Sequence, residues 1–369
     1  MFSDFCGVIL RIDHPSFKRS PSYELKVWGK SMIEWVSSVF VEEPFIYADI
    51  IQNEKEHEQI NSALSSLEFD CKYVVVLYSD TPLITRKTVL EALELIESKS
   101  LNCVKMTRGF VIRKNCQSPL EEMQKAQRHY FSCQDDFLTA GNFKTLSLIN
   151  EVMHQRIIER HMLNGVYFLD PNTTYIDDSV EIGTGVTVYP NNHLIGKTVI
   201  KDNVTLFDGN YIADSTIGQN VTVKSSNINN SIIGNNTTVG PFAYLRPESV
   251  IGENCRIGDF VEVKKARVGN HTKVSHLTYL GDCELGQNCN VGCGVVFCNY
   301  DGVKKHFSKV GNNVFIGSNT NIVSPVVIED NVLIAAGSTI TDDVMQDSLA
   351  IARARQVNKP GYKRKNSED

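Results

Sequence analysis

No stretch of the 369 residues approaches the ~18 consecutive apolar side chains that a membrane-crossing helix needs, so no membrane partner is expected. Basic excess is also missing: 37 Lys+Arg stand against 43 Asp+Glu, a net charge of −6. A chain without a positive field has nothing to hold a nucleic-acid backbone, and no nucleic acid is expected as a partner. The start, MFSDFCGVILRIDH, is acidic rather than basic and has no small residues of the cleavage type, so the expected location is cytoplasmic. Ten cysteines with no C-x-x-C pair are too dilute for a disulfide scaffold, and reduced thiols are the default. The length favours two domains over one.

What is present, and dominates, is a period of six. Stepping by six from Ile176 gives Ile182, Val188, Leu194, Ile200, Leu206 and Ile212. Stepping from Val310 gives Ile316, Ile322, Ile328, Ile334 and Ile340, and Ile233 to Val263 holds a third register. A helix repeats at 3.6 and a surface strand at 2, so neither explains an aliphatic at every sixth position. A solenoid does: residue i points into a narrow core, Gly often follows it, and a small or β-branched residue at i+4 (Val221, Thr237, Cys255, Thr272, Cys289, Val314, Thr320) also points inward. Three hexads close a coil of about 18 residues, and coils stack at roughly 4.8 Å as a parallel β-helix. Residues 176 to 340 then make eight or nine coils, interrupted by a polar loop near 299–309 where function is expected to concentrate. Cys283, Cys289, Cys293 and Cys298 match no common zinc spacing, and Cys289 is already explained as an inward residue.

From Gly240 the chain reads GPFAYLRPESVIGENCRIGDFVEVKKA, then HLTYLGD, CNYDGVKKH, FIGSNT, AAGSTIT and IARARQ. These motifs resemble the carboxy-terminal half of the GlmU family, in which a glucosamine-1-phosphate acetyltransferase is joined to an N-acetylglucosamine-1-phosphate uridylyltransferase. The resemblance implies a left-handed β-helix, a homotrimer with sites between neighbouring copies, and acetyl-CoA as co-substrate. It makes His276 the general base, with Glu262 to orient or charge-stabilise it. A histidine titrating near neutral pH can take a proton from an attacking amine. Sugar-phosphate contacts carry over onto Arg246, Lys264, Tyr279, Asn290 and Lys305, and Asn299 and Tyr300 fall where both ligands meet. Coenzyme positions are Cys293, Ser318, Ala336 and Arg353, followed by the basic residues Lys359, Lys363, Arg364 and Lys365. Cys293 stands where the family commonly has Ala, which bears on acyl preference.

The amino-terminal segment, up to about position 165, has another texture: an aliphatic strand at 73–78, then Ser79-Asp80-Thr81-Pro82-Leu83, then a helix pattern from Thr88 to Glu97. This reads as α/β with Asp80 at the carboxy end of a strand, where such sheets bind ligands. With LKVWGKSMIEWV it resembles a shortened uridylyltransferase half, in which Asp80 would match a magnesium-binding aspartate. The family's Gly-rich phosphate loop is gone, however: its glycines fall on Arg11 and Asp13, its arginine on Pro15 and its later lysine on Ser22. Magnesium is expected only if this half is active, and Asp80 is read as vestigial. The expected division is therefore a degenerate nucleotidyltransferase-like domain at 1–165, a β-helix acetyltransferase domain at 166–345, and a basic tail at 346–369. The expected activity is acetyl transfer to an amino-sugar phosphate. The alternatives are a retained uridylyltransferase and a non-catalytic trimeric scaffold.

Overall fold

The structure, a computed structural model, describes residues 4–18, 21–51 and 55–362. The chain forms two compact units: residues 1–160 with 176–178, and residues 161–175 with 179–369. No helix among the described residues is long and apolar enough to cross a membrane.

Unit 1 is built on a five-stranded sheet. Strands β1 (Phe5–Arg11), β2 (Phe45–Asp49) and β3 (Tyr73–Tyr78) are parallel in the order β2-β1-β3. Strands β4 (Cys103–Lys105) and β5 (Phe110–Arg113) extend the sheet past β3 as an antiparallel pair. All six residues of β3 are buried, as a central strand covered on both faces requires. Cys6, Val8, Leu10, Val74 and Val76 face a core shared with Ile60 and Ala63 of helix α1 (Glu56–Ser65). Phe5, Ile9, Val75 and Leu77 face the opposite core, with Val89, Leu93 and Ile96 of helix α2 (Arg86–Ser98). Thr85 caps α2, its hydroxyl accepting from the Thr88 N–H at 3.3 Å. One expectation is corrected here: Cys6 and Cys71 are joined as a disulfide, because β1 and the approach to β3 run side by side. The other eight cysteines are free.

Unit 2 is a parallel β-helix. One face is an eleven-stranded sheet from Tyr167–Phe168 to Leu349–Ala350. Its paired residues, Thr187, Thr205, Thr222, Thr238, Arg256, Lys273 and Asn290, recur at the interval of three hexads or slightly less, so each pairing is one coil. The next step, Asn290 to Phe315, is longer, and the excess is the loop after Cys298. Pairing begins before residue 176 and runs past 340, which gives about ten turns instead of eight or nine. The hexad positions are the core: Val188, Leu194, Leu206, Ile212, Leu245, Ile257, Val263, Ile316 and Ile322 have no exposed surface. Val221, Thr237, Thr272 and Thr320 at i+4 are equally closed. Ile182, near the amino-terminal end of the stack, is only half-buried. Asn203, Asn220, Asn236, Asn254, Asn288, Asn313 and Asn331 turn a corner at φ between 55° and 60°, a region Asn tolerates better than most residues. They stack as a ladder, with Asn220 donating to Asn236 at 3.1 Å and Asn313 to Asn331 at 3.1 Å.

Candidate active site

Two neighbouring coils place the imidazole. Strand β6 (Arg256–Asp259) lies parallel to β8 (Lys273–His276), and their register sets Asp259 opposite His276. The His276 Nδ1 and Asp259 Oδ1 atoms are 2.6 Å apart. A carboxylate can only accept, so Nδ1 carries a proton, and in the neutral ring the lone pair is on Nε2. The hydrogen bond from His276 holds the Asp259 carboxyl below the usual carboxylate range. Half of the His276 side chain, 52%, is exposed, so the ring is presented to solvent rather than packed.

Glu262 does not take the orienting part expected of it. It opens β7 (Glu262–Val268), pairs in register with Tyr279, and accepts from Arg246 Nη1 at 2.9 Å. The carboxylate on the imidazole is Asp259, which the motif reading passed over. A signal was available, since Asp259 precedes His276 by the length of one coil.

The cations do converge. Leu245 pairs with Val263, and Lys264 with Gly281 of β9 (Tyr279–Leu285), so Arg246 and Lys264 follow one another along one face. Lys305, delivered by the inserted loop, lies against Lys264 and depresses the Lys264 ammonium below its ordinary value, an effect that desolvation adds to and Asp282 opposes. Buried Asn299 donates to Asp282 Oδ2 at 2.5 Å and lies 3.5 Å from the Tyr279 hydroxyl. Gly281 leaves the space: a Cβ there would sit 2.7 Å from Asn299 Nδ2. The loop is organised by Asp301, whose Oδ1 accepts from the Val303 and Lys304 amides at 2.7 Å each and whose Oδ2 meets His306 Nε2 at 2.6 Å. Those hydrogen bonds hold the Asp301 carboxyl down at about 2, and Tyr300 remains largely exposed beside it.

The positions expected to meet the coenzyme continue the corner that carries His276. The Gly294 amide donates to the Leu277 carbonyl at 3.0 Å, Asn319 to Cys293 at 2.8 Å, and Gly337 to Ser318 at 2.8 Å. Cys293, Ser318 and Ala336 therefore stack on successive coils, with the Arg353 side chain alongside Gly337. Asn290 does not join the cations: it lies on the eleven-stranded face, paired with Lys273, in a shallow depression with Asn254 and His271. Lys359 is exposed, and Lys363, Arg364 and Lys365 lie outside the described residues.

In unit 1, Asp80 has no exposed side chain and is engaged by protein: Arg108 Nη2 lies 2.9 Å and His14 Nε2 3.0 Å from its Oδ2. Among the described residues no three His, Cys, Asp or Glu side chains cluster as a metal site.

Known protein families match along the β-helix. A family model for the GMPPB C-terminal domain matches residues 171–276, and the bacterial transferase hexapeptide model (six repeats) matches residues 307–342. The protein named bifunctional protein GlmU from Clostridium acetobutylicum is 56% identical over 228 residues, 62% of this chain and 50% of that protein. The one from Clostridium novyi is 58% identical over 217 residues, 59% of this chain and 48% of that protein. A crystal structure of a UDP-N-acetylglucosamine acyltransferase overlaps at a TM-score of 0.32 and 22% identity, covering 49% of this chain and 69% of that one. Over about three fifths of its length the chain is similar to proteins named GlmU, and it spans about half the length of the curated relatives it matches.

Proposed function

We propose that unit 2 transfers an acetyl group from acetyl-CoA to the amine of an amino-sugar phosphate, glucosamine 1-phosphate, as a step towards UDP-N-acetylglucosamine. The observation that carries this reading is the Asp259–His276 pair at 2.6 Å, on the corner leading to Cys293, Ser318 and Ala336. Beside it in the sequence and on successive coils stand Arg246 and Lys264, with Lys305 against Lys264. Fixed cations suit a phosphomonoester: Arg offers a fork and Lys a compact charge.

In the reaction, the sugar amine attacks the thioester carbonyl carbon and forms the C–N bond. The proton it sheds goes to His276 Nε2, and Asp259 stabilises the resulting imidazolium. The tetrahedral oxyanion is held by backbone N–H groups of the coil edge. Collapse breaks the C–S bond, and the leaving thiolate takes the proton back from the imidazolium, giving the amide and free coenzyme A. Tyr279, Asn299 and Tyr300 line the approach of the sugar, Cys293 borders the acyl group, and Arg353 meets the coenzyme phosphates. Asn290 reaches a substrate only from a neighbouring copy, in keeping with a homotrimer in the cytoplasm.

The test is thiol release from acetyl-CoA with glucosamine 1-phosphate against a panel of other amino sugars. Release specific to a phosphorylated amino sugar supports the reading. No release with any of them leaves a β-helical scaffold.

A further inference from the structure

Asp80 is where the resemblance of unit 1 to a uridylyltransferase would place a magnesium ion, and the residues around it do not fit one. Its two oxygens are already taken by a guanidinium, with Arg108 Nε 3.3 Å from Oδ1 and Nη2 2.9 Å from Oδ2. His14 Nε2 adds a third contact at 3.0 Å. The guanidinium lies 3.9 Å from the centroid of the Tyr78 ring, and the Tyr78 hydroxyl donates to Glu56 at 2.5 Å. Local geometry enforces this. Arg108 sits in the tight connection from β4 to β5, and Gly109, at φ +126°, would bring a Cβ within 2.6 Å of the Val76 carbonyl. Only glycine lets the turn press onto β3 and drive Arg108 over Tyr78. Beside it the Ile12 amide donates to Ser79 Oγ and the Ser79 amide to the Leu10 carbonyl, both at 2.9 Å.

We propose that Arg108 is a built-in counterion holding the place a divalent cation would occupy at Asp80, so that the carboxy edge of the unit 1 sheet is closed by an ion pair and takes up no divalent metal. A buried carboxylate needs a positive partner. A guanidinium supplies it with two directed hydrogen bonds and a flat face for the tyrosine ring. The inference rests on unit 1 alone and stands or falls apart from the acetyltransferase reading.

The experiment uses the full chain and two readouts. Both tryptophans, Trp28 and Trp35, lie in unit 1, so fluorescence follows its unfolding specifically. Arg108→Met should lower that midpoint by on the order of 10 °C, because it leaves the buried Asp80 carboxylate without its guanidinium and with only the His14 contact. Arg108→Met combined with Asp80→Asn should recover at least half of the loss, since no charge is then stranded. Titration of the parent with Mn2+, followed by its paramagnetic resonance signal, should show no uptake at millimolar metal. The proposal is overturned if Arg108→Met melts with the parent, if the double variant melts as low as the single one, or if the parent binds one Mn2+ that Asp80→Asn abolishes. Should Arg108→Met fail to accumulate as folded protein, the double variant decides: folding supports the pairing and failure overturns it.

Discussion

Two nearby carboxylates, Asp259 and Glu262, have different partners, and substitution should tell their proposed roles apart. His276→Ala is expected to reduce acetyl transfer by ~10²-fold or more with little change in melting temperature, because the ring is half-exposed and is proposed to act as the base. Asp259→Asn should lower kcat on the order of 10-fold or more at nearly unchanged KM, since an amide can no longer favour the Nδ1–H tautomer. Glu262→Gln should instead move KM for the sugar phosphate, because its partner is Arg246. Steady-state kinetics of the three variants with acetyl-CoA and glucosamine 1-phosphate check this. An Asp259→Asn enzyme with parental kcat would return the orienting role to another group.

At the scale of elements, each unit has its own dependence. In the β-helix, Leu245 has no exposed surface and lies between paired coils, so Leu245→Ala should cost about 2–5 kcal/mol in denaturant unfolding. In unit 1 the Arg86 fork at the start of α2 grips Glu43 at 2.7 and 2.5 Å and pulls its carboxyl from 4.5 to about 2. Depressed in the folded state, this group adds stability that is complete above about 4.5 and lost as pH falls towards about 2. Tryptophan-detected melting between those limits should decline with acid in the parent and decline less steeply in Glu43→Gln. Equal slopes would mean that the pair does not couple to folding.

For the whole molecule, coils are buried by coils. Removing residues 1–165 should therefore leave a folded β-helix that retains acetyl transfer, although an uncapped end coil can cost solubility. A soluble truncated chain with no activity would show that unit 1 contributes to the site. The full chain should also give no magnesium-dependent UDP-sugar from UTP and N-acetylglucosamine 1-phosphate. Phosphoryl-type transfer depends on positioning and charge neutralisation, and in unit 1 Asp13 and Ser22 bond each other while Asp80 is held by Arg108. Pyrophosphate release above background that is lost in Asp80→Asn would reverse this conclusion.

The sequence by itself determined the coil and its core, because an inward residue every six positions is a local pattern repeated many times and survives small slips of phase. It also determined which segments carry the candidate chemistry, since motifs such as HLTYLGD and NYDG are contiguous. What the tertiary structure alone decided is who faces whom between coils. The step between paired residues varies slightly from coil to coil, and Phe260, at φ 54°, turns the chain between Asp259 and Glu262. Asp259 thus ends one strand opposite His276, while Glu262 opens the next opposite Tyr279. The same holds for Lys264 against Lys305 and for Asp80 against Arg108. These contacts cross a coil, an inserted loop or a sheet, and side-chain partnership over such distances is set by register and turn geometry, not by neighbouring residues in the chain.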